Sequence, residues 1–151
     1  MVSFRCYDPS IDGSGGIHRW YYREISPDIR SEVDATIELL SVEAKLDGHP
    51  NFKALRGKSG RGLAEIKIDI QIKKGNAQPK QRRRRKRKRR ERTQINVRIL
   101  GPDNPPNKSF ILLTGFIKLG DSQYGPMCKQ AHSRKRGVEK NAAKARSCRF
   151  P

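Results

Sequence analysis

The sequence predicts a single domain of α+β class, and three observations carry that prediction. Residues 26–46 repeat apolar side chains at helical spacing behind a complete start signal. Residues 63–72 and 95–99 alternate apolar and polar side chains with the period of a strand. The change between the two regimes falls on the glycines at 57, 60 and 62. At 151 residues the chain can bury one real core but not two.

The first segment, Val2 to Tyr7, has β-branched and aromatic character and leads into a glycine and serine loop from Asp12 to Gly16. His18 to Tyr22 either completes a first strand or leads into a helix. Trp20, Tyr21 and Tyr22 are read as core packing in preference to base stacking, because they stand beside a strong helix start. Ser26 is placed to cap that helix, Pro27 fits its first position and Asp28 its positive end. Ile29, Val33, Ile37, Leu40 and Ala44 then mark one apolar face, and the helix is predicted to run to Leu46, stopping at Asp47-Gly48 with Pro50 beyond. A second, shorter helical turn through Asn51 to Leu55 is expected to fold back and form an antiparallel helical hairpin.

Phe52 to Ile70 reads F-K-A-L-R-G-K-S-G-R-G-L-A-E-I-K-I-D-I. Its glycines break any incoming helix, and Ile66, Ile68 and Ile70 then alternate with Glu65, Lys67 and Asp69 in a strand from Leu63 to Ile72. Lys53, Arg56, Lys58, Arg61 and Lys67 crowd this junction. Residues 80–92 hold eleven Lys or Arg and one Glu, a net of +10, which leaves +9 on the rest of a chain whose formal charge is +19. Arg82, Arg83, Arg84, Arg85, Lys86, Arg87, Lys88, Arg89 and Arg90 repel one another, so the insertion at 73–94 is expected to be a disordered or fluctuating loop, or else a long hairpin arm held by a polyanion. It reads either as a solvated charge run or as an arm that binds phosphates without reading sequence. A nuclear-localisation role is chemically open as well.

Ile95, Val97 and Ile99 alternate with Asn96 and Arg98 as a third strand, and Gly101 to Asn107 is a turn. Phe110 to Ile117 is apolar almost throughout, which predicts one central strand covered on both faces and ended by Lys118 and Gly120. Met127, Ala131, Arg134 and Val138 allow a basic C-terminal helix from about Pro126, followed by a loose tail.

The charge of +19 and a pI near 10.5 point to a polyanionic partner. Nucleic acid is favoured over a membrane, because no apolar run approaches the roughly 18 residues that span a bilayer and no basic and then apolar leader opens the chain. Cys6, Cys128 and Cys148 are odd in number, far apart and in no C-x-x-C pair, a pattern that fits a reducing cytoplasm better than secretion. His18, His49 and His132 show no ligand spacing, so neither a metal nor another cofactor is expected.

The predicted order of elements, together with F-K-A-L-R-G, G-L-A-E-I-K-I, V-R-I-L, F-I-L-L-T-G-F-I-K-L and K-R-G-V-E, resembles the RelE/ParE toxin superfamily, in particular its HigB-like, phage-derived members. The likeness covers most of residues 18–145. It implies a RelE-like fold, with the helical hairpin packed on a small, mainly antiparallel sheet and a C-terminal helix. It also implies a cytoplasmic bacterial toxin with a cognate antitoxin that often carries a helix-turn-helix. RelE-like and HigB-like members cut mRNA in the ribosomal A site without a metal, whereas ParE-like members poison DNA gyrase. A third function stays open beside these two: a non-enzymatic nucleic-acid-binding protein that works through its arginine tract.

The resemblance carries the nuclease roles to Lys53 and Arg56 around L-R-G, to Lys67 on the second strand, to Arg98 in V-R-I-L, to Lys118 after the last long strand and to Tyr124, with His132 a weaker stand-in for the tyrosine. Arg61 and the tract would add RNA affinity. Metal-free RNA cleavage needs a base for the 2′-hydroxyl, cations for the charge growing on the phosphoryl oxygens and an acid for the leaving 5′-oxygen. Crowded cations favour a neutral lysine, so Lys53 or Lys67 is expected as base, with Arg56 and Arg98 on the phosphate. Lys67 and Arg98 also fit plain solvent-facing charge, and Arg98 fits a cross-strand pair with Asp69 or Glu65. The chain departs from the family pattern in two places. About 20 residues replace a tight connection between the second and third strands, and Val97 stands where a tyrosine commonly precedes the arginine.

Overall fold

A computed structural model describes residues 2–73, 92–103, 109–148 and 150. Strand β1 (Ser3–Tyr7) leads to helix α1 (Gly16–Arg19), which widens directly into a π-helical turn over Trp20–Glu24. Helix α2 (Pro27–Ser41) begins as its sequence dictates, with Ser26 Oγ accepting from the Ile29 N–H at 3.4 Å. Strands β2 (Phe52–Ala54), β3 (Leu63–Lys73), β4 (Arg92–Pro102), β5 (Ser109–Leu112) and β6 (Thr114–Lys118) follow. A short 3-10 turn at Asp121–Gln123 opens helix α3 (Tyr124–Lys140), and strand β7 (Ala145–Ser147) closes the described chain.

Two sheets result. The larger has the order β2-β3-β4-β6 and is antiparallel throughout, and the smaller has the order β5-β1-β7, with β1 parallel to β5 and antiparallel to β7. Ile66, Ile68, Ile70, Val97 and Ile99 supply one face of the larger sheet to the main core, where they meet Ile29, Val33 and Leu40 of α2 and the buried Trp20 and Tyr21. The alternation read from β3 and β4 is thus the alternation between this core and the opposite face. Tyr22 is the exception among the three aromatics and stays about half exposed, its ring edge-on to Tyr21.

Several expectations need correction. Residues 51–55 form no second helix. Phe52, Lys53 and Ala54 pair with Ile66, Glu65 and Ala64, and the helical hairpin is absent. Between Pro50 and Gly57 there is too little chain to repay helix nucleation, whereas β3 offers ready-made backbone partners. Helix α2 ends at Ser41 rather than Leu46, which turns back into the core. Helix α3 starts two residues before Pro126, whose missing N–H costs nothing in a first turn.

Phe110 to Ile117 is not one central strand. It divides at Leu113 into β5 and β6, each at the edge of a different sheet. Phe110 and Leu112 enter the main core, while Leu113 and Phe116 enter a second cluster with Leu63, Leu100, Cys128 and Ala131 beneath α3. The run is apolar throughout because it serves two cores in succession, so the chain buries a main core and a smaller second cluster where a single core was expected.

The C-terminal segment is not a loose tail. Strand β7 pairs with β1, Cys148 forms a disulfide with Cys6 across 142 residues of sequence, and Phe150 stacks on Tyr21 with ring centroids 4.0 Å apart. Distance in sequence therefore did not keep these cysteines unpaired, and the case for a reducing compartment loses that support. Cys128 is free and buried. Strand pairing persists to Lys73 opposite Arg92, so the ends of the basic insertion belong to the sheet, while residues 74–91, with Arg82–Arg90, lie outside the described residues. Among the described residues no helix is long and apolar enough to cross a membrane.

Candidate functional site

The antiparallel register aligns Lys53 with Glu65, Lys67 with Arg98 and Phe116, and Asn96 with Lys118. Side chains opposite one another share a face. Lys53, Glu65, Lys67, Asp69, Arg98, Phe116 and Lys118 therefore stand on the face turned away from α2. Helix α3 roofs one end of that face over Leu63, Leu100 and Phe116. Where its first turn meets the sheet lies a cleft of about 240 Å³ lined by Lys53, Arg56, Glu65, Lys118, Asp121 and Tyr124.

Glu65 is the centre of this cleft. It is only 4% exposed, and the Tyr124 hydroxyl donates to its Oε2 at 2.7 Å. Burial and then Glu65 push the Tyr124 phenol above its usual range, with Arg98 pulling the other way. Arg98 is buried as well. Its Nη1 donates to Asp69 Oδ1 at 2.8 Å and to the Val97 carbonyl at 3.0 Å, while its Nε lies 3.7 Å from Glu65 Oε1 and has no hydrogen-bond partner. Burial works to lower the Arg98 pKa, but Asp69 holds it above the ordinary value. The reading of Arg98 as solvent-facing charge is thereby overturned, and the cross-strand pair with Asp69 and Glu65 is what forms.

Lys118 Nζ is 3.2 Å from Asp121 Oδ1 and 5.3 Å from the centre of the Tyr124 ring. Phe116 meets the same ring edge-on at 5.5 Å, which fixes the phenol from the sheet side. Gln123 ties the end of β6 to the start of α3. It accepts from the N–H groups of Leu119 and Gly120 and donates to the Ile117 carbonyl.

The cleft thus gathers Lys53, Arg56, Lys118 and Tyr124, with Arg98 behind Glu65. Lys67 stands next to Arg98 on the open part of the sheet and does not line the cleft. Arg61 lines a neighbouring cavity. His132 is not in the cleft, and its Nε2 contacts the Ser59 carbonyl at 2.9 Å. Asp121 was not singled out from sequence, and Glu65 was named only as a cross-strand partner for Arg98, not as a residue of the site. The available signal was a carboxylate in register with Lys53, which a period of two cannot separate from its polar neighbours. Among the described residues no three His, Cys, Asp or Glu side chains are placed to hold a metal ion.

The cleft offers one buried carboxylate held by a phenol, with two ammonium groups and a guanidinium at its margin. Such a set suits an anionic ester: the cations hold its charge, and the carboxylate can accept a proton. Comparison with protein-family models, with curated proteins and with solved structures finds no match to this chain.

Proposed function

We propose that the chain is the toxin of a toxin–antitoxin pair and a ribosome-dependent endoribonuclease acting on mRNA in the cytoplasm. The observation that carries this reading is the meeting of Lys53, Arg56, Lys118 and Tyr124 around Glu65 in one cleft, with Arg98 directly behind it. These residues come from four separate parts of the chain, and the resemblance to RelE-like and HigB-like nucleases had marked all of them except Glu65.

In this mechanism the 2′-oxygen attacks the adjacent phosphorus and the bond from phosphorus to the 5′-oxygen breaks, leaving a 2′,3′-cyclic phosphate and a 5′-hydroxyl. The proton of the 2′-hydroxyl passes to Glu65, and Lys53 or Lys118 supplies a proton to the leaving oxygen. Arg56 holds the phosphoryl charge. Glu65 takes the role of base that sequence had given to Lys53 or Lys67. Tyr124, whose raised pKa keeps its proton, orients Glu65 and offers a ring for base stacking. Arg98 acts through Glu65 and Asp69 and is a positioning residue. An antitoxin would silence the enzyme by covering the cleft.

The test is to map mRNA 5′ ends on translating ribosomes in a reconstituted system, comparing wild type with Glu65→Gln and Lys53→Ala. Cuts at a fixed phase within codons are expected, reduced about 10²- to 10⁴-fold by Glu65→Gln. Unchanged cleavage in Glu65→Gln would remove the carboxylate from the mechanism. Uncut mRNA with wild-type protein would reject the nuclease and send the question to a DNA-supercoiling assay for gyrase inhibition.

A further inference from the structure

The glycine-rich loop between β2 and β3 borders a second, open cavity, of about 630 Å³, that adjoins the cleft through Leu55 and Arg56, which line both. Arg56, Lys58 and Arg61 line it, with Asp103 the one acidic residue of its lining among the described residues. Among the described residues none of these three cations makes an ion pair. The loop is braced from several sides. The Leu55 N–H donates to the Leu63 carbonyl, Leu63 to Gly60 and Asp103 to Gly62, at 2.9, 3.0 and 3.1 Å, and His132 of α3 holds the Ser59 carbonyl. Gly57 and Gly62 adopt φ of +89° and +85°, a conformation that side chains disfavour, and without a Cβ they leave the backbone open. Lys135 of α3 reaches the same spot, its Nζ 3.6 Å from where a Cβ on Gly62 would lie.

Like charges gathered around one cavity on a loop whose backbone is braced are unfavourable alone and favourable around an anion. The alternation of cations with glycines also lets an anion approach the backbone closely, which a continuous basic run does not. We propose that this loop is a subsite for a backbone phosphate of single-stranded RNA next to the linkage held in the cleft, with Lys58 and Arg61 as its principal contacts. The inference rests on the cleft being an RNA site. It assigns to Lys58 and Arg61 the task of fixing the register of the strand, so that one particular linkage lies against Glu65.

The test uses a short ribo-oligonucleotide made uncleavable by a 2′-deoxyribose at the cut position, with its linkages replaced one at a time by neutral methylphosphonate. Amide NMR signals of Gly57 and Gly62 report on the loop. These signals are expected to shift on binding, and one neutral linkage should weaken binding to wild type about tenfold. The same linkage should cost Lys58→Ala/Arg61→Ala nothing, and that variant should lose about 0.7 units of the log–log salt slope, the share of one phosphate bound on a single strand. Equal cost of every neutral linkage in both proteins, unmoved loop signals, or inorganic phosphate binding as tightly as the oligonucleotide would each overturn the subsite. Because the strand cannot be cut, these outcomes do not depend on catalysis. Intact coupling with no cleavage of ordinary mRNA would sink the nuclease reading and leave the subsite standing.

Discussion

Glu65 and Tyr124 are 59 residues apart and joined through the phenol hydroxyl at the floor of the cleft. Tyr124→Phe removes that donor while keeping the ring, so a buried carboxylate loses its hydrogen bond from the phenol and keeps Arg98 Nε at 3.7 Å. Urea unfolding should show a loss of about 1–3 kcal/mol. The phenol is held above its usual 10.0 by burial and by Glu65, so the folded state favours the protonated form. Its contribution to stability is therefore full below pH 10 and is lost as the pH rises through the folded value. Tyr124→Phe should accordingly flatten the alkaline fall in stability, measured as urea midpoint against pH. Gly115 shows a second dependence on one residue. A Cβ there would lie 2.7 Å from the Trp20 ring, so Gly115→Ala should cost about 1–3 kcal/mol by overpacking. Neither dependence was legible in sequence. Glu65 looked like its polar neighbours Lys67 and Asp69, and what separates them is the roof that α3 places over one end of the sheet.

The elements that sequence identified are those whose signals are local. Helix α2 carries its cap, its first-turn proline and its apolar face within 15 residues, and β3 and β4 carry their alternation within themselves. The elements it misjudged are set by distant partners: β2 by β3, β7 by β1, and the division of β5 from β6 by two separate cores. The turn from β1 into α1 is instead held by partners within ten residues of one another. Asp8 is fully buried and accepts from the Ser10 and Gly15 N–H groups, from Ser10 Oγ and from His18 Nδ1. Burial acts to raise its carboxyl, but these bonds hold it below the ordinary 3.8. The stability it contributes is present above pH 3.8 and is lost as the pH falls below that value through the folded one. Asp8→Ala removes the acceptor shared by Ser10, Gly15 and the buried His18 and should cost about 1–3 kcal/mol, with a shallower acid limb in the same urea series.

At the scale of the whole molecule, the disulfide closes a loop of 142 residues and joins the first strand to the last. Cys6→Ser/Cys148→Ser should lower stability by about 2–5 kcal/mol, and a reductant should do the same to wild type, seen as a lower unfolding midpoint. Charge is divided as sharply. Residues 24–47, which contain α2, hold seven acidic and two basic side chains, a net of −5, so the rest of the chain carries +24. A polyanion is therefore expected to meet the face opposite α2, where the cleft and the glycine-rich loop lie. Exchanging Arg82–Arg90 for glycine and serine should weaken RNA binding at every sequence alike and flatten its salt dependence by about 0.7 for each phosphate no longer neutralised. The same cations made the chain's preference for polyanions legible from composition, but not the place where that preference becomes chemistry. That place depends on the single residue at which the chain passes from one sheet to the other. Leu113 sets the phase of β6: removing one residue there would turn Phe116 and Lys118 toward α2 and Ile117 toward α3, whereas adding or removing two would leave every side chain on its present side. Whether Lys118 shares the cleft with Glu65 is thus a matter of an odd or even count, a parity that no individual bond in the cleft expresses.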